Sequence, residues 1–406
     1  MKPVSESAIP IRPAGFRPRL DALDLLRGAI MIIMALDHVR DFLSRDALLF
    51  DPTDLTRTHG ALFLTRLITH FCAPVFCFLA GTGAFLSLGR GKTTRDLSWF
   101  LFTRGFWLIF LELTLVQFGW TFRIDPHFLD GAVIWALGWS MVCLAALVHL
   151  PVWAVTTFGV VIIAGHNLLD PIRPEAFGGW AWLWQVLHVQ SMIQIAPTYL
   201  FGVTYPLVPW IGVMAAGFGF GALVRREPAE RKRLLLWLGL GLMAAFVVLR
   251  ATNLYGDASL WKTQSSLLFS VFSFVNTTKY PPSLLYLLMT LGPSIVFLSL
   301  FDRALGNWSK PVIVFGRVPL FFYLLHLPLI HGIAVLLASL RHGAAGGVWL
   351  GPPWNPETLA AYPKDYGYGL LGVYAVWAVV ILLLYPLCRW FADLKKRRRD
   401  AWLSYF

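Results

Sequence analysis

One arginine and one histidine mark the ends of an otherwise nearly apolar stretch, Arg27-Gly28-Ala29-Ile30-Met31-Ile32-Ile33-Met34-Ala35-Leu36-Asp37-His38. On a helix rising about 1.5 Å per residue, the guanidinium and the imidazole stand roughly 16 Å apart, about half the thickness of a hydrocarbon core. The cationic end suits an anion, and the imidazole suits proton exchange. Asp41 follows one turn after His38, where a carboxylate can fix the tautomer of the ring and stabilise its charged form. Asp37 points about 100° away and is the poorer orienter. His38 is therefore a candidate general base or nucleophile, with Asp41 as its helper.

Other ionisable residues interrupt apolar segments and need partners there. Arg66, His70 and Pro74 follow one another at four-residue spacing, which on a continuous helix lines them along one face opposite His38. Arg104 and Glu112 face the same side of a third segment two turns apart, so each requires a partner from elsewhere. The run Asn276-Thr277-Thr278-Lys279-Tyr280-Pro281-Pro282 offers amide, hydroxyl and ammonium groups ahead of an apolar helix. Arg317 opens a later segment in which His326 and His331 flank Pro328, and His326 is placed to pack against the Arg27 to His38 helix. A metal held by His38, Asp41 and His70 has no supporting ligand spacing, and no metal is expected.

The chain that carries these groups is 57% apolar and 14% charged over 406 residues, with a mean hydropathy of +0.64. A water-soluble core could not conceal that much apolar surface, so an all-α, polytopic membrane protein is expected. The net charge of +12 sits in short loops and reads as a topology signal, which excludes nucleic acid as a partner. Cys72, Cys77, Cys143 and Cys388 lack Cys-x-x-Cys spacing and lie in apolar surroundings, so they are read as core fillers.

About ten membrane segments are predicted: Leu23 to Leu43, Leu64 to Leu88, Leu97 to Phe118, Ala132 to His149, Val152 to Ala164, Tyr205 to Val224, Leu234 to Leu249, Ser283 to Phe301, Val312 to Leu340 and Tyr368 to Phe391. Arg90, Lys92 and Arg95 follow the second segment, Arg225 to Arg233 the sixth, Arg303 and Lys310 the eighth, and Lys395 to Arg399 the tenth. By the positive-inside rule those ends and both termini face the cytosol. The N-terminal tail, with Arg12, Arg17 and Arg19, lacks a cleavable signal pattern and is read as retained. Arg27 thus lies toward the cytosol and His38 toward the outside, beneath long aromatic loops at residues 166–204 and 251–282. No internal repeat is visible.

Leu23-Asp24-Leu25-Leu26-Arg27-Gly28, followed by ten residues and His38, resembles the Arg-x10-His signature of transmembrane acyltransferases. Arg66 to Gly81, Trp135 to Ser140, Asn276 to Leu284 and Phe315 to His326 resemble the bacterial relatives of heparan-alpha-glucosaminide N-acetyltransferase. The resemblance implies transfer of an acetyl or other acyl group from cytosolic acyl-coenzyme A to an extracytoplasmic acceptor, an amine or hydroxyl of a sugar or glycan. It implies His38 and Asp41 at the chemical step. In the animal enzyme the position matching His38 is Asn and the catalytic His falls near His59, so His59 is a second candidate base. An Asp there matches His70.

Arg27, Arg104 and Arg317 suit the phosphates of coenzyme A, and Arg66, His70, Asn276, Lys279, Tyr280 and His326 suit the acceptor. The expected organisation is a cytosolic tail over residues 1–22, a transmembrane acyltransferase domain over 23–392 and a basic cytosolic tail over 393–406. It is expected in a bacterial inner membrane among lipids, with a homodimer as a possible assembly. The rival reading is a transporter or flippase that uses the same charges to move a substrate; it would favour paired broken helices and repeats.

Overall fold

The computed structural model describes residues 21–88, 92–303, 305–343, 362–398 and 400–406. Arg12, Arg17, Arg19, Arg90 and Arg399 lie outside the described residues. The chain is mostly helical. In order its helices are α1 (Asp21–Leu43), α2 (Arg45–Leu49), α3 (Gly60–Thr69), α4 (Cys72–Leu88), α5 (Thr94–Leu111), α6 (Gln117–Thr121), α7 (Val133–Leu147), α8 (Val152–Gly165) and α9 (Ala181–His188). There follow α10 (Leu207–Val224), α11 (Pro228–Thr252), α12 (Leu267–Val275), α13 (Leu284–Leu300), α14 (Lys310–Arg317), α15 (Pro319–His342) and α16 (Leu370–Arg397). The predicted segments fall on helices, but Leu64 to Leu88 is divided between α3 and α4 and Val312 to Leu340 between α14 and α15.

Seven helical stretches among the described residues are long and apolar enough to cross a membrane. Helices α7 and α13 are apolar but shorter. The outer faces of α8, α11 and α16 leave most of their apolar side chains uncovered, whereas α10 is largely enclosed. Such an exterior is stable only in lipid, and the chain is an integral membrane protein.

Helix α1 carries charges that a lipid-facing span could not tolerate, and it lies inside the bundle against α3, α4, α13, α14, α15 and α16. Its approach to α14 is a backbone contact. A Cβ on Gly28 would sit 1.9 Å from the Val312 carbonyl oxygen, and one on Gly316 would sit 1.9 Å from that of Asp24. The Arg27-Gly28 and Gly316-Arg317 pairs are thus two halves of one close crossing, which brings the two arginines to the same end of the bundle.

Two local breaks set the site. Pro74 cannot donate to the His70 carbonyl four residues back, and the helix interrupts between α3 and α4. The hydroxyl of Tyr286, from α13, donates to that carbonyl instead at 2.6 Å. Between α5 and α6 the chain widens into a π-helical turn, Glu112–Val116. A turn of this kind re-aims a side chain, and here the buried Glu112 carboxylate accepts from the backbone N–H groups of Ile134 and Trp135 at 2.8 and 3.0 Å. Those are the orphan donors at the start of α7.

The all-α expectation needs one addition. A three-stranded sheet joins β1 (Phe128–Asp130), β2 (Ser191–Ala196) and β3 (Tyr199–Val203) in the order β1-β3-β2. β2 and β3 form an antiparallel hairpin across Pro197 and Thr198, and β1 adds to β3 in parallel. Thr204 donates to both oxygens of Asp130 at 2.8 and 3.0 Å. Burial raises the Asp130 carboxyl to about 6, with those hydrogen bonds opposing it.

Candidate active site

Arg27, Arg104 and Arg317, assigned from the sequence to one role, line one cavity of about 300 Å³. Arg27 donates to Asp24 and to the Gly316 carbonyl at 3.3 and 3.2 Å. Arg317 reaches Asp21 at 3.2 Å and Asp24 at 3.5 Å. Arg104 donates to the Ser404 carbonyl, and among the described residues no carboxylate lies within ion-pair distance of it. Lys395 adds a further cation to the lining. The walls beyond these heads are apolar, with Met31, Leu79, Leu108, Ile134 and Leu320. Lys92 lies outside the cavity lining, with its ammonium 3.9 Å from the centre of the Phe100 ring; burial lowers its basicity.

Tyr323, on the wall of the same cavity, leads to the histidines. Its carbonyl lies 2.6 Å from Nδ1 of His326, and the His326 ring centre is 5.1 Å from that of His38. The fully buried His326 therefore packs against α1 as expected. Trp120 from α6 meets the His38 ring edge-on at 4.8 Å. Met31 in the cavity wall and His38 share α1 two turns apart, so the cationic cavity and the imidazole lie along one path.

His38 Nδ1 is buried without a hydrogen-bond partner, and the Asp41 carboxylate stands 3.6 Å from it. That distance is an ion pair with a charged ring but beyond hydrogen-bond reach for a neutral one. Asp41 is held instead by Arg40 at 2.6 Å. Arg40 also pairs with Asp37 at 2.7 Å, and Asp37 accepts from Arg66 at 2.9 and 3.1 Å and from Thr69 at 2.7 Å. The sequence reading passed over Arg40 and Thr69. Their signal was an arginine one turn after Asp37 and a hydroxyl one turn after Arg66.

The remaining predicted residues divide. His70 turns its Nδ1 to the Arg66 carbonyl of its own helix at 2.8 Å, while the Arg66 guanidinium is engaged by Asp37. Asn276 donates to the Thr53 carbonyl at 3.1 Å and its own carbonyl accepts from Arg250 at 2.6 Å, which makes it a loop tie. Lys279 stands 5.0 Å from the Tyr280 ring centre, and the Tyr280 and Tyr205 hydroxyls are 3.5 Å apart. Burial raises the Tyr280 phenol, but the Lys279 and Arg66 cations outweigh it and hold it below the usual range. His59 caps α3, accepting from Leu62 N–H at 3.4 Å. Its half-exposed ring lies 3.5 Å from Asp46.

Comparison with known proteins gives one family. The model of the catalytic region described as "Heparan-alpha-glucosaminide N-acetyltransferase, catalytic" matches residues 19–261, more than half of the chain. No curated protein sequence matches it. The match includes Arg27, His38, Asp41, His59, Arg66, His70 and Arg104, whereas Asn276, Lys279, Tyr280, Arg317 and His326 lie beyond its end. The central helix, its flanking charges and its apolar exterior suit a membrane-bound transferase, and the chain belongs to the heparan-alpha-glucosaminide N-acetyltransferase catalytic family.

Proposed function

We propose that this protein moves an acyl group, in the first instance acetyl, from cytosolic acyl-coenzyme A to an amine or hydroxyl of an extracytoplasmic sugar. The observation that carries the reading is the path along α1: a cationic cavity at Arg27, Arg104 and Arg317 and, two turns past Met31, a histidine with a carboxylate at 3.6 Å. Guanidinium groups bind phosphates bidentately, and the apolar walls suit the thin thioester arm. His38 takes the proton from the acceptor nucleophile as it attacks the thioester carbonyl; Asp41 stabilises the imidazolium that results. The thiolate of coenzyme A leaves toward the cavity and takes up the proton. With both termini in the cytosol, as the positive loops suggest, donor and acceptor lie on the sides this chemistry needs; Arg27 lies near the start of α1, Arg104 within α5 and Arg317 at the end of α14.

Binding of acetyl-coenzyme A to detergent-purified protein tests the donor site. Arg104→Ala and Arg317→Ala each remove a charged phosphate donor, so each is expected to weaken binding about tenfold to a hundredfold. Affinity equal to wild type in both variants would remove the cavity from the account.

A further inference from the structure

A second group of chemistry-bearing side chains lies away from His38, where α8 ends. His166 and Asp170 stand four residues apart across the short turn His166–Leu169, and His188 closes α9. One ligand atom from each of the three lies within 4.8 Å of the other two. Both histidines are 2% exposed. His188 Nε2 meets Asp170 Oδ1 at 3.0 Å, but His188 Nδ1 and both ring nitrogens of His166 are buried with no hydrogen-bond partner. The Pro282 carbonyl acts on the His166 ring without reaching hydrogen-bond geometry. A buried polar atom left unpaired is costly, so a simple His188–Asp170 pair leaves His166 unexplained.

We propose that His166, Asp170 and His188 bind a transition-metal dication, zinc before the others. Two imidazoles and one carboxylate suit zinc, and the absence of an oxygen cage disfavours calcium or magnesium. Ligand bonds of about 2.0–2.2 Å place such atoms roughly 3.3 Å apart around a tetrahedral ion, beside the 3.0 Å of His188 Nε2 to Asp170 Oδ1 and the 4.8 Å that bounds the group. The carboxylate is already oriented. Asn167 Nδ2 donates to Asp170 Oδ2 at 2.9 Å, while Asn167 Oδ1 accepts from Leu284 N–H at 2.8 Å and so joins the site to the start of α13. Asp170 and His188 border a cavity of about 290 Å³ that Thr278, Tyr280 and Ser283 also line. Three protein ligands leave a fourth position for water or a ligand atom from that cavity. The ion would fasten the loop after α8 and the end of α9 beside the Tyr280 loop.

The test is zinc titration of the full-length, chelator-treated protein in detergent, purified with a tag that contains no histidine and followed by elemental analysis. One equivalent per chain is expected. Binding is expected to weaken more than about 100-fold in His166→Gln and His188→Gln, about 10–100-fold in Asn167→Ala, and not at all in the exposed-histidine control His127→Gln. Substoichiometric zinc in wild type, or unchanged affinity in both glutamine variants, would overturn the proposal. Should the glutamine variants fail to fold, X-ray absorption on the zinc-loaded wild type decides: two imidazole nitrogens support the site, and a shell without imidazole or containing sulfur overturns it.

Discussion

At the scale of single residues, the site is one alternating line of charge: Arg66, Asp37, Arg40 and Asp41, ending 3.6 Å from His38. Asp37 is nearly buried and serves two arginines. Its removal strands both, and loss of one member of a buried pair is strongly destabilising. Asp37→Ala is therefore expected to lower stability by about 3–5 kcal/mol, read as thermal unfolding in detergent. His38→Gln, whose Nδ1 makes no hydrogen bond among the described residues, is expected to leave the unfolding temperature close to wild type. The reverse pattern would make His38 structural and Asp37 dispensable. The candidates that sequence reading could reach were charges inside apolar runs, which is why Arg27, Arg104 and Arg317 emerged and do share a cavity. Tyr286 and Trp120 were not legible, because an aromatic in a membrane helix looks the same whether it faces lipid, core or a neighbour's ring.

Among the elements, the α1 crossing with α14 and the small sheet make separate demands. Gly28 and Gly316 permit backbone contact between two helices, and an added methyl at either position must push them apart. Gly28→Ala is expected to cost about 1–3 kcal/mol and to weaken acetyl-coenzyme A binding, since Arg27 and Arg317 move with those backbones; unchanged binding and stability would contradict the contact. In the sheet, the Asp130 carboxyl rises from an ordinary 3.8 to about 6 through burial. Its folded value exceeds its unfolded value, so its contribution to stability is complete below about pH 4 and fades as pH rises through 6. Asp130→Asn should flatten that part of the unfolding profile and leave the variant relatively more stable above pH 6. Equal pH slopes would refute the assignment. The helices were readable because long apolar runs bounded by charge are a strong signal. The sheet was not, since strands of three to six residues carry little period-2 pattern within an aromatic loop. The break at His70 was similarly hidden: Pro74 announced a perturbation, but where the helix parts depends on Tyr286 from α13.

For the whole molecule, the account requires the arginine cavity on one side of the membrane and the acceptor loops on the other. With the native cysteines replaced, an impermeant maleimide applied to intact cells is expected to label Glu175→Cys and to reach Arg95→Cys only after permeabilisation; the opposite result would invert the topology. Apolar composition alone made the membrane setting legible, and the family match agrees with the resemblance carried by Leu23 to His38 and Arg66 to Gly81. The choice between His38 and His59 was open in the sequence. The structure separates them by environment: His38 lies in the bundle against His326 and Trp120, while His59 caps a helix with its ring half in solvent. The most direct test is coenzyme A release from labelled acetyl-coenzyme A by the purified protein, with candidate amino-sugar acceptors, in wild type, His38→Ala and His59→Ala. The account predicts that release disappears in His38→Ala and persists in His59→Ala. Release that survives in His38→Ala and vanishes in His59→Ala would contradict it.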